Sequence, residues 1–221
     1  MLQITSLDPQ KATKNKDKKR FNVYLNEKYT FSIGQENLLK FKLAVGKILS
    51  ENEIIQITKG EFFNYLVDRA INFLSFRPRS EKEIKDYLIK KISTKQKIKF
   101  SEAKETKVIE EVINKLKKYN YIDDLEFATW WIESRNANKQ KGFKLIKQEL
   151  TQKGLSREVL EKFEKGQDEV KLALIALSKR ESRWKKLDGF SLKKKIYAFL
   201  ANRGFDYETI SEAFAIYLKK R

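Results

Sequence analysis

The stretch VDRAINFLSFR (Val67–Arg77) recurs without a gap as LEFATWWIESR (Leu125–Arg135) and again as VKLALIALSKR (Val170–Arg180). Each copy carries an aliphatic residue first, alanine fourth (Ala70, Ala128, Ala173), an aliphatic residue eighth (Leu74, Ile132, Leu177) and arginine eleventh (Arg77, Arg135, Arg180). With Phe63 added, Val67, Ala70 and Leu74 fall at i, i+4, i+7 and i+11, the spacing of one helical face. Copies in this order are the signature of a repeat architecture.

A second helix follows the first in each copy. KLIKQELTQKGLSREVL from Lys144 aligns with KKIYAFLANRGFDYETI from Lys194, so that Ile146 matches Ile196, Leu150 matches Leu200, Lys153 matches Arg203 and Gly154 matches Gly204. The glycines suit the left-handed residue that closes a helix. Ser156 and Asp206 then stand as caps, with Glu158 and Glu208 in the first turn of a third helix that carries Leu160 and Ile210.

The first copy follows the same plan with different punctuation. Pro78 disfavours helical geometry at Arg77 and stops the first helix. Ser80 and Glu83 read as a capping box for the second, with Ile84, Leu88 and Lys91 in the places of Ile146, Leu150 and Lys153. A lysine-rich loop is expected over Lys90–Lys99, followed by a third helix with Ile109, Val112, Ile113 and Leu116 on one stripe. Asn120 is the expected left-handed terminator, and Asp123, with Glu126 three residues on, caps the next copy.

The N-terminal part is different. Phe21, Val23 and Leu25, then Tyr29, Phe31 and Ile33, alternate with polar residues around Asn26-Glu27-Lys28, which reads as a hairpin that must pack on a neighbour. Lys11–Arg20 holds six basic residues against one acid and reads as a solvated run. The expected domains are therefore an N-terminal part at 1–60 and three-helix units at 61–122, 123–168 and 169–221. The fold class is mainly α: three tandem three-helix units, too small for large separate cores, stacked into an elongated, curved body.

Composition limits the chemistry. Cysteine and histidine are both absent, which excludes disulfides, thiol nucleophiles, histidine-based triads and the usual zinc ligands. No apolar run is long enough for a membrane span and the first twenty residues hold no signal-peptide core, so a cytoplasmic protein with no membrane partner is expected. Isolated glycines form no phosphate-cradling loop. Asp123, Asp124 and Glu126 could hold a divalent cation, as in a nuclease, but capping is the simpler use. Neither a cofactor nor catalysis is expected.

The charge points to binding. With 48 basic and 30 acidic residues the net charge is +18, which fits a polyanion or an acidic protein surface. Basic residues recur at equivalent positions: Arg77, Arg135 and Arg180 after the first helices, and Lys91, Lys153 and Arg203 at the ends of the second. In a stacked repeat these would line up as a track, widened by Arg79, Lys85, Lys144, Lys147, Lys193 and Lys194. A cation at a helix C-terminus is equally explained by the helix dipole; the repetition favours binding for the set. Trp131, in the column of Phe73 and Ala176, is expected in the core. Trp130 is expected to pack between units, with an exposed aromatic contact to a partner as the rival reading.

These residues resemble the RecX family of bacterial regulators. The resemblance lies in an ALxxLSxRxRSExE pattern at Ala70–Glu83, with Ile71 for the first leucine, and a GYIxDxxFA pattern at Asn120–Ala128. It continues in KGxxxIxxELxxKGI at Lys141–Leu155 and RGFxYxxI at Arg203–Ile210. Asn120 replaces the glycine of the second motif, and Phe143 stands where the family usually has proline. The resemblance implies a non-enzymatic modulator that lodges in the groove of the RecA–DNA filament and suppresses strand exchange, ATP hydrolysis and coprotease activity; a monomer is expected. A general DNA-binding protein acting by charge alone is the competing expectation.

Overall fold

The computed structural model describes residues 2–10, 19–163 and 168–220. Of the basic run Lys11–Arg20, residues 11–18 lie outside the described residues. Two compact units are formed, one by Met1–Asn72 with Lys91–Val112 and the other by Phe73–Lys90 with Ile113–Arg221.

In the first unit, strands β1 (Leu2–Pro9), β2 (Arg20–Leu25) and β3 (Lys28–Gly34) are followed by helix α1 (Gln35–Lys40) and a short strand β4 (Ile48–Leu49). They form one antiparallel sheet in the order β3-β2-β1-β4. The expected hairpin is β2–β3, turned by Asn26 and Glu27 at φ of 48° and 69°, the positive angles of a two-residue primed turn. A register shift between Val23 and Tyr24 breaks the expected alternation. Val23, Leu25, Phe31 and Ile33 are buried while Tyr29 is exposed, because the bulge places it edge-to-face with Tyr24 instead.

Helix α2 (Glu51–Leu74) begins earlier than the apolar spacing from Glu61 suggests. Ser50 and Glu53 form a reciprocal capping box: Ser50 Oγ accepts from the Glu53 amide at 3.3 Å, and the Glu53 carboxylate accepts from the Ser50 amide at 2.8 Å. Ile57 then covers the sheet core of Ile4, Val23, Leu25, Ile33 and Leu49. Glu61 ties helix to sheet, accepting from the Gly34 amide at 3.1 Å and from Arg20 at 3.0 Å.

The remaining helices follow the repeat. The first copy continues with α3 (Glu81–Gln96), α4 (Phe100–Lys104) and α5 (Val108–Lys118). Residues 90–96, read as the start of a loop, extend α3 instead, since no breaker interrupts them; the chain turns at Lys97, φ 55°. Ser80 accepts from the Glu83 amide at 3.2 Å, which is half of the expected capping box; the Glu83 carboxylate is engaged elsewhere, as described below. Asn120 is left-handed as expected, φ 56°.

The second copy comprises α6 (Asp124–Asn138), capped by Asp123 through the Leu125 and Glu126 amides, α7 (Phe143–Gln152) and α8 (Arg157–Glu161), capped by Ser156. The third comprises α9 (Glu169–Ser178), a short α10 (Glu181–Trp184), α11 (Gly189–Ala201) and α12 (Tyr207–Lys220). Gly154 and Gly204 adopt φ of 90° and 85°. Ala70, Ala128 and Ala173 are all fully buried. Each of the last two copies has its own core: Phe127, Ile146, Leu150 and Leu160 in one, Leu177, Ile196, Leu200 and Ile210 in the other. Among the described residues no helix is long and apolar enough to cross a membrane.

Candidate functional site

The repeated arginines are equivalent in sequence but not in surroundings. Arg77 donates through both terminal nitrogens to the two carboxylate oxygens of Glu83, each at 3.0 Å, and Lys153 reaches the same carboxylate at 2.5 Å. Ser80 Oγ also donates to the Lys153 carbonyl at 2.8 Å. In this way the start of α3 is joined to the end of α7. Burial alone pushes the Glu83 carboxyl up, but the hydrogen bonds from Arg77 and Lys153 outweigh it and hold the group below the usual carboxylate range.

Arg135 is closed off in a similar way. Its Nε donates to Glu149 at 2.7 Å, and Glu149 also accepts from Lys141 and, at 2.9 Å, from the Trp131 indole N–H. Burial again acts upward on Glu149, and Lys141, Arg135 and Trp131 together bring it below its ordinary value. Arg135 lies 4.1 Å and Lys153 5.1 Å from the Trp131 ring centre, and Arg77 lies 5.2 Å from that of Trp130. Trp131, expected in the core, is only half-buried, because its N–H needs the polar partner that Glu149 supplies. Trp130 is also half-buried, beside Phe127 and Trp131.

The third copy has no such closure. Glu149 occupies the column that holds Phe199 in the third copy, and Glu83 the column that holds Lys195. Arg180 and Arg203 therefore meet an aromatic ring where Arg135 meets an acid: they lie 5.8 and 3.9 Å from the Phe199 ring centre. Neither has a carboxylate partner among the described residues. Arg203 Nε is buried without an acceptor there, and burial, reinforced by the charge of Arg180, lowers the proton affinity of its guanidinium. The two arginines line a cavity of about 500 Å³ together with Lys139, Lys141, Lys179 and Phe199; no acidic residue lines it.

The other expected residues are dispersed. Arg79 stacks on Phe73 at 3.7 Å, and Phe73 lies flat on Tyr87 at 4.2 Å; burial, then Arg77, lower the proton affinity of Arg79. Lys85 pairs with Glu81 at 2.9 Å. Lys91 and Lys147 are half-buried, while Lys144 and Lys194 are exposed. Lys193 lies 5.5 Å from the Tyr197 ring centre.

Asp123 and Asp124, weighed as metal ligands, are spent on backbone groups: Asp123 on its own helix start, and Asp124 on the Glu81 amide at 3.1 Å. Among the described residues no three acidic side chains are grouped to hold a metal ion. Lys139, Lys141 and Lys179, at the cavity, lie outside the repeated basic columns of the sequence. The signal for that site was the loss, in the third copy, of the two glutamates that neutralise the first two.

Comparison with known proteins accounts for nearly the whole chain. Residues 2–50 match the regulatory protein RecX N-terminal domain, and residues 67–93, 123–162 and 167–214 match the first, second and third three-helix domains of RecX in order. The regulatory protein RecX of Listeria monocytogenes serotype 4b (strain F2365) is 36% identical over 213 residues, which span 94% of this chain and 72% of that one. The chain belongs to the RecX family. Regulatory protein RecX of Bacillus subtilis (strain 168) is 34% identical over 206 residues, 91% of this chain and 74% of that one.

Two crystal structures share the fold of this RecX-family chain. A regulatory protein RecX superposes with a TM-score of 0.70 at 22% identity, covering 97% of this chain and 100% of the other. RecX from Lactobacillus salivarius superposes with a TM-score of 0.57 at 24% identity, covering 69% and 94%.

Proposed function

We propose that this chain is a non-enzymatic regulator that binds the RecA–DNA filament and restrains its recombinase, ATPase and coprotease activities, acting as a cytoplasmic monomer. The observation that carries the reading is the ordered match of all four RecX domains along the chain, to relatives named regulatory proteins. The chemistry is consistent with it. A net charge of +18 draws the chain towards a polyanionic filament, and weak contacts from several helical copies add through effective concentration.

Co-sedimentation with single-stranded DNA, bare or coated by the cognate RecA, tests this across rising salt. A purely ionic binder loses affinity steeply with salt on any DNA. The expected result is retention on RecA-coated DNA at salt concentrations that release the chain from bare DNA. Equal release from both would contradict the reading and favour a protein that acts by charge alone.

A further inference from the structure

The cavity between the second and third copies combines two features. It gathers the cationic side chains of Lys139, Lys141, Lys179, Arg180 and Arg203 without a lining carboxylate, and it keeps part of one guanidinium buried without an acceptor. Of these cations Lys141 is already paired, with Glu149. The other four have no acidic partner among the described residues. Lys139 and Lys179 reach solvent, while Arg180 and Arg203 are half-buried; like charges gathered in one recess repel one another. In the first two copies the equivalent arginine is neutralised from within, by Glu83 or Glu149. The third copy keeps its arginines and omits the internal anion, which leaves the recess without a fixed negative charge of its own.

The donors indicate which anion. Arg180 and Arg203 present planar forks that suit an oxyanion with several acceptor oxygens. Lys179 uses one of its three hydrogens on Gln140 Oε1, at 3.0 Å, and keeps the others for a ligand. The amides of Asn138 and Asn202 stand in the same lining. So many donors exceed what a two-oxygen carboxylate accepts, and they suit the charge and the three or more acceptor oxygens of a phosphate group. Phe199, stacked at 3.9 Å under Arg203, fixes that guanidinium in place at little entropic cost on binding.

We propose that this cavity is a phosphate site, in which Arg180, Arg203 and Lys179 hold one phosphate group, either free or as part of a nucleotide or nucleic-acid chain. The inference rests on the cavity alone and does not depend on RecA being the partner.

The test uses the full chain and two probes, inorganic phosphate and a short single-stranded oligonucleotide. Both are titrated calorimetrically against sodium chloride controls of matched ionic strength, to separate binding from screening. Arg180→Gln and Arg203→Gln are compared with Lys171→Gln, an exposed lysine of α9 outside the cavity lining. If the phosphate is free, the two arginine variants lose about tenfold or more in affinity for inorganic phosphate, the scale of one charge-assisted hydrogen bond, and Lys171→Gln does not. If it belongs to a chain, the same loss appears with the oligonucleotide only. Lys179→Gln leaves both ring contacts in place and keeps the test decisive should an arginine variant unfold. Binding of both probes that is indifferent to all three cavity substitutions, or no binding beyond the chloride control, overturns the proposal.

Discussion

Replacing Gly142 with alanine adds one methyl group at a place where the backbone of the second copy meets that of the third. The Gly142 amide donates to the Arg203 carbonyl at 2.9 Å. A Cβ on residue 142 would lie 2.3 Å from the Gly204 carbonyl oxygen and 2.6 Å from the Phe205 nitrogen, where ordinary contact is 3.4–4 Å. Both neighbours are backbone atoms, so no rotamer change relieves the clash, and the two segments must part by about 1 Å. Conformation is not the obstacle, since Gly142 sits at φ −65° and ψ 148°, which alanine adopts freely. Overpacking of this kind costs about 1–3 kcal/mol, and loss of the bridging hydrogen bond about 1 kcal/mol more. Gly189→Ala is the matched control, because nothing lies within 4 Å of its added Cβ. Urea unfolding followed by circular dichroism should show Gly142→Ala less stable by about 2–4 kcal/mol and Gly189→Ala close to the original. A Gly142→Ala variant within about 0.5 kcal/mol of the original, the usual range of a surface change, would refute the close approach of these two turns.

Three further outcomes follow from the part-buried carboxylates. Glu149→Gln keeps an acceptor for the Trp131 N–H but releases Arg135 and Lys141; it should cost about 1–2 kcal/mol in thermal unfolding, and it should steepen the salt dependence of DNA binding as cations are freed. Glu81, Glu83 and Glu149 are each raised by burial but brought below 4.5 by their lysine and arginine partners. A carboxyl with a depressed folded pKa binds fewer protons folded than unfolded, so the stability these groups give is present above pH 4.5 and is lost as the pH falls through their folded values; acid titration of the melting temperature should show that decline. Asp124 is the opposite case, raised from 3.8 chiefly by burial. Its stability contribution is present below that value and lost as the pH rises through the folded pKa, so Asp124→Asn, which still offers an oxygen to the Glu81 amide, should gain relative to the original between acid and neutral pH. A variant that loses ground over that interval would contradict the assignment.

The helical copies were legible because their determinants are local. The alanine column, the left-handed Gly154, Gly204 and Asn120, and the caps at Asp123, Ser156 and Asp206 all act within a few residues of themselves. Strands β1 and β4 were not legible: β1 pairs with a strand beyond an intervening segment, and the register shift between Ile4 and Ser6 interrupts its alternation. The site was half legible. The columns of arginine and lysine are visible in the sequence, but whether a cation is free depends on a partner such as Glu83, which is 70 residues from Lys153. Trp131 departs from the core position expected for it for a related reason, since ring size argues for burial while the indole N–H argues for the polar neighbour found 18 residues away.

Action on the filament is measured most directly by ATP hydrolysis of the cognate RecA on single-stranded DNA. The full chain is added well below one copy per RecA, at fixed moderate salt, where too little is present to cover the DNA. Hydrolysis is expected to fall at that ratio. Hydrolysis that declines only once the chain saturates the DNA would contradict action on the filament.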